Sequence, residues 1–417
     1  MIEKIKACRI CDNTNLVLLL NLGEQTLTGV FPKTKTEKIT SGPLELVECV
    51  GHKGEDVCGL VQLHHVYDNK EMYGMNYGYR SGLNQSMVRH LQSIVRKITE
   101  RITLYKDDLI IDIGSNDCTL LKSYPSDKGL VLVGIDASGE KFKKYYPDHI
   151  QLIPDFFLGA TIKKHFQNKR AKVITSIAMF YDLEKPFEFV KQINETLDDD
   201  GIWVFEQSYL PMMLSTSAYD TICHEHAEYY ALKQIKWMLD KAGLKIVDVE
   251  LNDTNGGSFQ VTAAKKNSNL KPNEQKMEEL LKKEEEMRLN DFSAYQKFEG
   301  NIERHKRDLQ QLVHQINNSG KKIFGYGAST KGNVILQYCG FTAKDIPYIA
   351  EVNEDKFGSF TPATHIPIIS EKEAKALKPD YLLVLPWHFK EGILKREKEF
   401  LQSGGKFIFP LPQIEII

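Results

Sequence analysis

The densest group of proton-transfer side chains in the sequence is His224-Glu225-His226, which follows a predicted strand. Histidine is the side chain best suited to move a proton near neutral pH, and a neighbouring glutamate can orient it. The spacing is not H-E-x-x-H, which excludes the helical zinc-protease geometry. On an extended segment the two imidazoles would face the same way, whereas on a helix they would point apart. Because acids and tyrosines surround both histidines, acid–base chemistry is favoured over a purely structural pair.

The second group with coordinating chemistry is a set of four cysteines, Cys8, Cys11, Cys49 and Cys58. The C-x-x-C pair is typical of a zinc knuckle, and two later thiolates complete a tetrahedral site. Eight residues separate the later two, which is wider than usual, and His52 in that insertion is a rival fourth ligand. Four thiolates leave no open position, so the sequence predicts a structural Zn²⁺.

A nucleotide-type crevice is predicted where the apolar residues 109–113 run into Gly114. A strand, a glycine turn and a helix form such a crevice, with Ser115, Asn116 and Asp117 as candidate ligand groups. Asp136 ends the next strand, 22 residues after Gly114, where an acid typically binds ribose hydroxyls. The turn lacks G-x-G-x-x-G, which favours an adenosine ligand without phosphates, such as S-adenosylmethionine, over a nicotinamide dinucleotide.

Two further strand ends belong to the same predicted crevice. Asp155 could bond an adenine amino group, and the ring of Phe156 could stack on the base. Ser176 and Met179 lie at the carboxyl end of the strand at 171–177. Ligands of open α/β sheets bind at such strand ends.

A second glycine-rich turn follows the predicted strand at 322–326. It is not a Walker loop, but its amides, the helix amino end and Lys331 could face a phosphate. Glu351 falls where a ribose acid belongs, and His365 and Trp387 lie in later strand-end loops. The candidate substrate residues of this crevice are Tyr326, Ser329, Thr330, Lys331, Asn333, Glu351, His365 and Trp387. The alternative is a structural Rossmann repeat without a ligand.

The elements that must position these groups are predicted as three units. A zinc-binding domain takes residues 1–70, a methyltransferase-type domain takes 71–267, and a helical bridge with a Rossmann-like domain takes 268–417. An amphipathic helix is predicted over 83–105, and charged helices over 271–318. Tyrosines alternate with glycines in residues 72–82, which suits an aromatic flap over a ligand, although a plain surface loop is the alternative.

Composition narrows the class of protein. The 417 residues carry 54 basic and 56 acidic side chains, a net charge of −2, which argues against a nucleic-acid binder. The apolar fraction of 42% and charged fraction of 26% are typical of globular proteins. No apolar run approaches the roughly 20 residues of a membrane span. Because the charged N-terminus is unlike a signal peptide and cysteines cluster, we expect a cytoplasmic protein without membrane or nucleic-acid partners, and a monomer.

The chain resembles the S-adenosylmethionine-dependent sugar C-methyltransferases that act on nucleotide-linked 4-keto deoxysugars. The likeness covers nearly the whole length and lies in the cysteine set, in residues 77–81, in 112–117, in 176–183, in 224–226 and in 325–333. It implies an α/β protein with a small zinc-binding N-terminal domain, a class I (Rossmann-like) methyltransferase domain and a C-terminal Rossmann-like domain that helps to hold the nucleotide sugar.

The resemblance also implies roles for residues. His226 would be the general base, with Glu225 and Tyr79 beside the sugar and His224 as a further catalytic candidate. Three positions depart from the family pattern: Cys118 and Ala363 replace common glycines, and His388 replaces an asparagine.

The predicted reaction is methyl transfer to carbon, at C-3′ of the keto sugar. His226 would remove the acidic proton beside the ketone, and the resulting enolate would take the methyl group of S-adenosylmethionine. The alternatives are a sugar O-methyltransferase, an NAD-dependent nucleotide-sugar oxidoreductase that uses the crevice at Gly325, and a non-catalytic nucleotide-binding scaffold.

Overall fold

The N-terminal part of the chain folds into small antiparallel sheets beside the four cysteines. The structure is a computed structural model that describes residues 2–52, 54–73, 79–167 and 169–417. The N-terminal elements are β1 (Glu3–Lys4), β2 (Leu16–Thr26), β3 (Ser41–Cys49), β4 (Val61–Leu63), β5 (His65–Val66) and α1 (Asn69–Met72). Strands β2, β3 and β4 form one antiparallel sheet, and β1 pairs with β5.

The central part is a seven-stranded, doubly wound sheet. Its elements are α2 (Gln85–Arg101), β6 (Leu109–Ile113), β7 (Val131–Ile135), α3 (Gly139–Phe142), β8 (Ile150–Ile153), α4 (Gly159–His165), β9 (Ala171–Ile177), α5 (Pro186–Thr196), β10 (Leu197–Ser208), α6 (Leu210–Thr216), β11 (Glu228–Tyr229), α7 (Leu232–Lys241), β12 (Leu244–Asn252) and β13 (Ser258–Lys265). The sheet order is β12-β13-β10-β9-β6-β7-β8, with β13 antiparallel to both neighbours. The first strand, β6, is fully buried, as its apolar run predicts.

The C-terminal part is a second parallel sheet, reached through two helices. The elements are α8 (Glu274–Glu286), α9 (Phe292–Asn318), β14 (Ile323–Tyr326), α10 (Thr330–Tyr338), β15 (Ile349–Glu351), β16 (Ile368–Ser370), α11 (Glu371–Ala376), β17 (Tyr381–Val384), α12 (Lys390–Arg396), α13 (Lys398–Gln402), β18 (Lys406–Phe409) and β19 (Glu415–Ile416). The order is β16-β15-β14-β17-β18-β19, parallel except for β19. The predicted α/β architecture with two doubly wound units is confirmed.

The three parts share cores rather than standing apart. One apolar cluster runs from Leu46 of β3 through Tyr219 to Val334 of α10. A second joins the cysteine site to the central sheet. Strand β11 leaves the central sheet and pairs with β4, so the segment that carries His226 crosses from one sheet to the other. Its position therefore depends on all three parts of the chain.

Two helical predictions are confirmed with shifted ends. The helix over 83–105 is α2, which begins after the Asn84 cap and ends at Arg101. The bridge over 271–318 is α8 followed by α9. Among the described residues, no helix combines the length and apolar character needed to cross a bilayer. Five residues of the predicted flap, 74–78, lie outside the described residues.

Candidate active site

His226 is held in one tautomer by a backbone contact. Its Nδ1 lies 2.8 Å from the carbonyl oxygen of Thr221, and because a carbonyl only accepts, Nδ1 carries the proton. The other nitrogen, Nε2, is then a neutral acceptor. Burial lowers the pKa of His226 to about 3, and the positive charge of Lys331 contributes to this shift. The ring packs against Tyr181, with centroids 4.2 Å apart. The imidazole is therefore a neutral, oriented base.

Lys331 of the C-terminal domain bonds the same residue, Thr221, that orients this imidazole. The lysine belongs to the first turn of α10, and its Nζ donates to Thr221 Oγ1 at 3.1 Å and to Asn255 O at 2.6 Å. Burial lowers the pKa of Lys331, while the Asp220 carboxylate acts in the opposite direction. Trp387 fixes that carboxylate by donating from Nε1 to Asp220 Oδ2 at 2.8 Å. The base of the central domain and a cation of the C-terminal domain thus contact the same residue, Thr221.

Glu225 contacts the N-terminal domain. Thr28 Oγ1 donates to Glu225 Oε2 at 3.2 Å. Any side chain at Gly29 would collide with Glu225 Oε1 and would lie 3.4 Å from Thr330 Oγ1. Asn333 Nδ2 donates to Thr28 O at 2.7 Å. The loop at residues 28–29 is therefore the point where all three domains meet beside the candidate catalytic segment.

The carboxyl groups near His226 are buried. Burial raises the pKa of Glu225. Burial also raises the pKa of Asp182 well above its ordinary value, and the charge of Glu225 raises it further. A buried acid beside a second acid holds a proton more readily than an exposed acid does. This pair can therefore donate a hydrogen bond as well as accept one.

His224 does not lie with His226. Its ring is 2% exposed and meets the edge of Tyr67 at 4.6 Å between centroids. Burial lowers the pKa of His224 to about 4, with the backbone of Gly42 and Gln25 nearby. This places the imidazole against β2 and β3 of the N-terminal sheet. The structure thus separates two histidines that the sequence pairs as catalytic candidates.

The central crevice has the features predicted at the end of β6. Gly114 has φ +73°, and a Cβ there would lie 2.9 Å from Met179 Cγ. The carboxylate of Asp136 accepts from Asn116 N at 2.7 Å and from Ser138 N at 2.8 Å. Asp136 is half-buried, so solvent reaches part of this strand end. These positions fit the ribose of an adenosine ligand.

Asn116 and Asp117 hold the end of the flap. Ser81 N donates to Asn116 Oδ1 at 3.0 Å, and Gly82 N donates to Asp117 Oδ2 at 3.0 Å. Asn116 Nδ2 donates to Tyr79 O at 3.2 Å, while the Tyr79 ring is 40% exposed. The two side chains that the sequence assigns to the cofactor are here engaged with residues 79–82, which they fasten over the turn.

The remaining cofactor candidates divide into exposed and buried groups. Asp155 and Phe156 lie beyond the end of β8, and the Phe156 ring is 52% exposed, as a platform for a base requires. Ser115 instead bonds Tyr146 Oη at 2.7 Å. Ser176 Oγ is fully buried and accepts from Trp203 Nε1 at 2.8 Å. The last two side chains are thus engaged with protein groups.

The C-terminal candidates are mostly engaged with protein groups. Tyr326 Oη donates to Glu397 Oε1 at 3.0 Å, and Glu397 lies just after the end of α12. Glu351 accepts from Ala328 N at 2.6 Å and from two further backbone amides. Ser329 caps α10 by accepting from Gly332 N. His365 has φ +50° and a buried Nδ1 without a hydrogen-bond partner in the described chain.

The cysteine set converges as predicted. The sulfur atoms of Cys8, Cys11, Cys49 and Cys58 all lie within 4.8 Å of one another. Cys8 Sγ is 3.4 Å from Cys58 Sγ, and Cys11 Sγ is 3.5 Å from Cys49 Sγ. Tetrahedral Zn–S bonds of about 2.3 Å require edges of about 3.8 Å, so the donor set fits a structural zinc ion. Asn13 Nδ2 donates to Cys49 Sγ and supports the site from outside.

Two departures from the family pattern have a backbone explanation. Cys118 has φ +67° and Ala363 has φ +58°, a region that glycine enters most easily. The third, His388, adjoins Trp387. Burial and the charge of Lys331 lower the pKa of His388 well below the ordinary value.

Sequence reasoning misses the residues that join the domains. Thr28 and Gly29 are about 200 positions from Glu225, and nothing local marks that contact. Asp220 and Thr221 carry a weaker signal, since two polar side chains stand in a stretch that is otherwise aromatic and buried.

The chain matches three family descriptions in succession. Residues 8–73 match the "Putative zinc binding domain" of these methyltransferases, residues 87–249 a "Methyltransferase domain", and residues 253–412 the "C-methyltransferase C-terminal domain". The C-methyltransferase NovU of Streptomyces niveus is 29% identical, over 100% of this chain and 98% of its own length.

Solved methyltransferases resemble only part of the chain. A Haloferax volcanii methyltransferase in complex with its Trm112 activator is 13% identical, with a TM-score of 0.37 over 44% of this chain and 94% of its own. Magnesium protoporphyrin IX methyltransferase from Synechocystis is 14% identical, with a TM-score of 0.34 over 44% of this chain and 88% of its own. The successive domain matches and the full-length relative, together with the four-cysteine site, make this chain an S-adenosylmethionine-dependent methyltransferase.

Proposed function

We propose that the protein methylates carbon in a nucleotide-linked 4-keto deoxysugar, at C-3′, through an enolate. The observation that carries the proposal is the fixed tautomer of His226, whose Nδ1 bonds Thr221 O while Lys331 of the C-terminal domain bonds Thr221 Oγ1. A neutral imidazole oriented by a backbone carbonyl is the form that a general base needs. The relative NovU, described as a C-methyltransferase, supports transfer to carbon.

His226 Nε2 removes the proton from the carbon next to the ketone, and the C–H electron pair passes into the enolate. The imidazolium that results is held by the same Nδ1–H bond to Thr221 O. S-adenosylmethionine, when bound, supplies the methyl group that the enolate carbon takes. The imidazolium then releases its proton to solvent.

One cation and two carboxyl groups stabilise the negative charge that develops on the ketone oxygen. Lys331 is close enough to lower the pKa of His226, so its charge also acts on an anion formed beside that imidazole. Glu225 and Asp182, with raised pKa values, can donate from a protonated carboxyl group. Tyr79 belongs to the described end of the flap and is the remaining candidate beside the sugar. The methyl donor binds at Gly114, Asp136 and Phe156.

Incubation in deuterium oxide with S-adenosylmethionine and a nucleotide-linked 4-keto deoxysugar tests the reaction. We expect a product heavier by one methyl group, and deuterium at the methylated carbon position in substrate recovered early. A methyl ether in the product would identify an O-methyltransferase. Turnover of a nicotinamide cofactor without S-adenosylhomocysteine would identify an oxidoreductase.

The His226→Asn variant tests the base. We expect methyl transfer to fall by about 10²–10⁴, the range for loss of a general base. Binding of S-adenosylmethionine should stay unchanged, because His226 is not part of the Gly114 crevice. His224→Asn is the matched comparison, and equal losses of transfer in both variants would contradict the assignment of His226 alone.

A further inference from the structure

Arg9 lies between two of the four cysteines, Cys8 and Cys11, and its side chain is almost completely buried. Only 4% of that side chain is exposed. Arginine keeps its charge in proteins, so a buried guanidinium is stable only where hydrogen bonds and an opposite charge surround it. The partners of Arg9 therefore show which part of the fold this side chain stabilises.

The guanidinium bonds the backbone of the neighbouring strands. Nη1 of Arg9 donates to the carbonyl oxygen of Leu63 at 2.6 Å, and Nη2 donates to that of His65 at 3.2 Å. The backbone amide of Arg9 donates to Gln62 Oε1 at 3.1 Å. The planar fork of a guanidinium suits several acceptors in fixed positions. One residue of the cysteine loop thus bonds three residues of β4 and β5.

The next partner of Arg9 belongs to the segment that carries the candidate base. Glu228 Oε1 lies 3.7 Å from Arg9 Nε, and the Glu228 side chain is fully buried. Glu228 is two positions after His226, and it lies opposite Gln62 in the ladder between β11 and β4. Arg9 therefore spans this ladder, with hydrogen bonds to β4 and an ion pair with β11.

The ladder itself is short, so contacts outside it matter for its position. Strand β11 has 2 residues, and just before it Ala227 O accepts from Leu63 N at 2.8 Å. On the other side of His226 in the chain, Thr221 O holds the imidazole Nδ1. The base is thus fixed from both directions along the chain. Loss of the later contacts would let the ring move, and a displacement of about 1 Å can lower a rate by about 100-fold.

We propose that Arg9 is a positioning residue for methyl transfer. It holds the residues after His226 against β4, so the geometry of the base depends on the conformation of the cysteine loop. The inference rests on the proposed function for the role of His226. The link is separate from the contact between Thr28 and Glu225, because Glu225 precedes His226 in the chain whereas Glu228 follows it.

The Arg9→Met variant of the zinc-loaded full-length protein tests the proposal, because methionine is long and apolar but has neither charge nor donors. We expect kcat to fall by about 10–100-fold. The KM for the keto sugar, the dissociation constant for S-adenosylmethionine and the zinc content should stay unchanged, since the four cysteines and the Gly114 turn are intact. A general loss of folding would change these quantities as well.

Hydrogen exchange measures the position of the segment without the reaction. In Arg9→Met, mass spectrometry should show faster amide exchange in residues 226–229 and unchanged exchange in the buried strand at 109–113. Lys6→Met is the matched control, because it removes an exposed cation two positions before Cys8. Its kcat, zinc content and exchange should equal those of the unmodified protein.

Glu228→Gln removes the charge at the other end of the contact and leaves the cysteine loop unchanged. We expect a fall in kcat in the same range as for Arg9→Met. The double variant should lose no more than about twofold beyond the more affected single variant, because both changes break one contact. Independent effects would instead multiply.

Three results overturn the proposal: equal kcat in Arg9→Met and Lys6→Met, loss of zinc in Arg9→Met, or losses that multiply in the double variant. The proposed function can fail separately. Absence of methyl transfer to keto sugars by the unmodified protein would remove that function, while faster exchange at 226–229 in Arg9→Met would still support the link. Methyl transfer at the full rate in both Arg9→Met and Glu228→Gln would remove the link and leave the function.

Discussion

The two doubly wound domains have the same local structure after the first strand of each sheet. In the central domain the Gly114 amide bonds Ile135 O, and Asp136 accepts from a turn amide. In the C-terminal domain the Gly327 amide bonds Ala350 O, and Glu351 accepts from a turn amide. Strand, positive-φ glycine, turn and acid therefore occupy corresponding places in both sheets.

The surroundings of the two turns differ. A side chain at Gly114 would meet only the flexible Met179, whereas one at Gly327 would meet Pro386 Cδ at 2.7 Å. Asp136 is half-buried, while Glu351 is 6% exposed. Protein groups from the other domains cover the start of α10. The comparison teaches that the same motif can leave its acid partly exposed in one domain and bury it in contacts between domains in the other.

Replacing each of the two acids by alanine should have the largest effect and should distinguish ligand binding at Asp136 from domain docking at Glu351. In Asp136→Ala we expect the dissociation constant for S-adenosylmethionine to rise by about 100-fold, because charged hydrogen bonds to ribose are lost. In Glu351→Ala that constant should stay unchanged, while the free energy of unfolding falls by about 1–3 kcal/mol, because buried amides lose their acceptor. Calorimetric binding and denaturant unfolding measure both quantities. A large loss of affinity in Glu351→Ala would break the comparison.

Zinc removal should disturb the contact between the N-terminal domain and Glu225 rather than the turn at Gly114. In Cys11→Ser we expect loss of zinc and about a tenfold fall in kcat, because Thr28 of the zinc domain no longer positions Glu225. The dissociation constant for S-adenosylmethionine should change little. Metal analysis and steady-state kinetics provide the measurements.

Matched variants separate zinc loss from loss of the Thr28 contact. Cys339→Ser alters a buried thiol outside the zinc site and should keep the metal. Thr28→Val should keep the metal but lower kcat. If Cys11→Ser lost zinc and retained full kcat, the contact between the zinc domain and Glu225 would have no catalytic part.

Local sequence patterns predict the strands of the sheets, but they do not predict the contacts between domains. The apolar run at 130–135 predicts β7 to within one residue, because a buried parallel strand needs such a run. By contrast, β11 is two residues long and pairs with another domain, and no periodicity marks it. Thr28 contacts Glu225 across 197 positions, a separation that composition and spacing do not encode.

Side-chain direction explains the site residues that sequence reasoning misplaces. Successive residues of a strand face opposite sides of the sheet, so a strand-end motif does not specify which of its side chains face a ligand. Ser176 and Tyr326 belong to the right strands but bond Trp203 and Glu397 in the interior. The cysteine set is predicted completely, because a four-thiolate site requires all four ligands whatever the path between them.

The smallest expected effect concerns the charge that joins the two domains. His226 acts when neutral, and both burial and Lys331 disfavour its protonation, so its pKa lies at about 3, below the ordinary value. Removing the cation in Lys331→Met should raise this pKa, and the acid limb of kcat/KM should move to higher pH with it. Lys331→Arg keeps the charge and should restore the limb even where kcat stays low. A pH profile from acid to neutral distinguishes these variants, since a merely structural role would lower the rate at every pH and leave the midpoint in place.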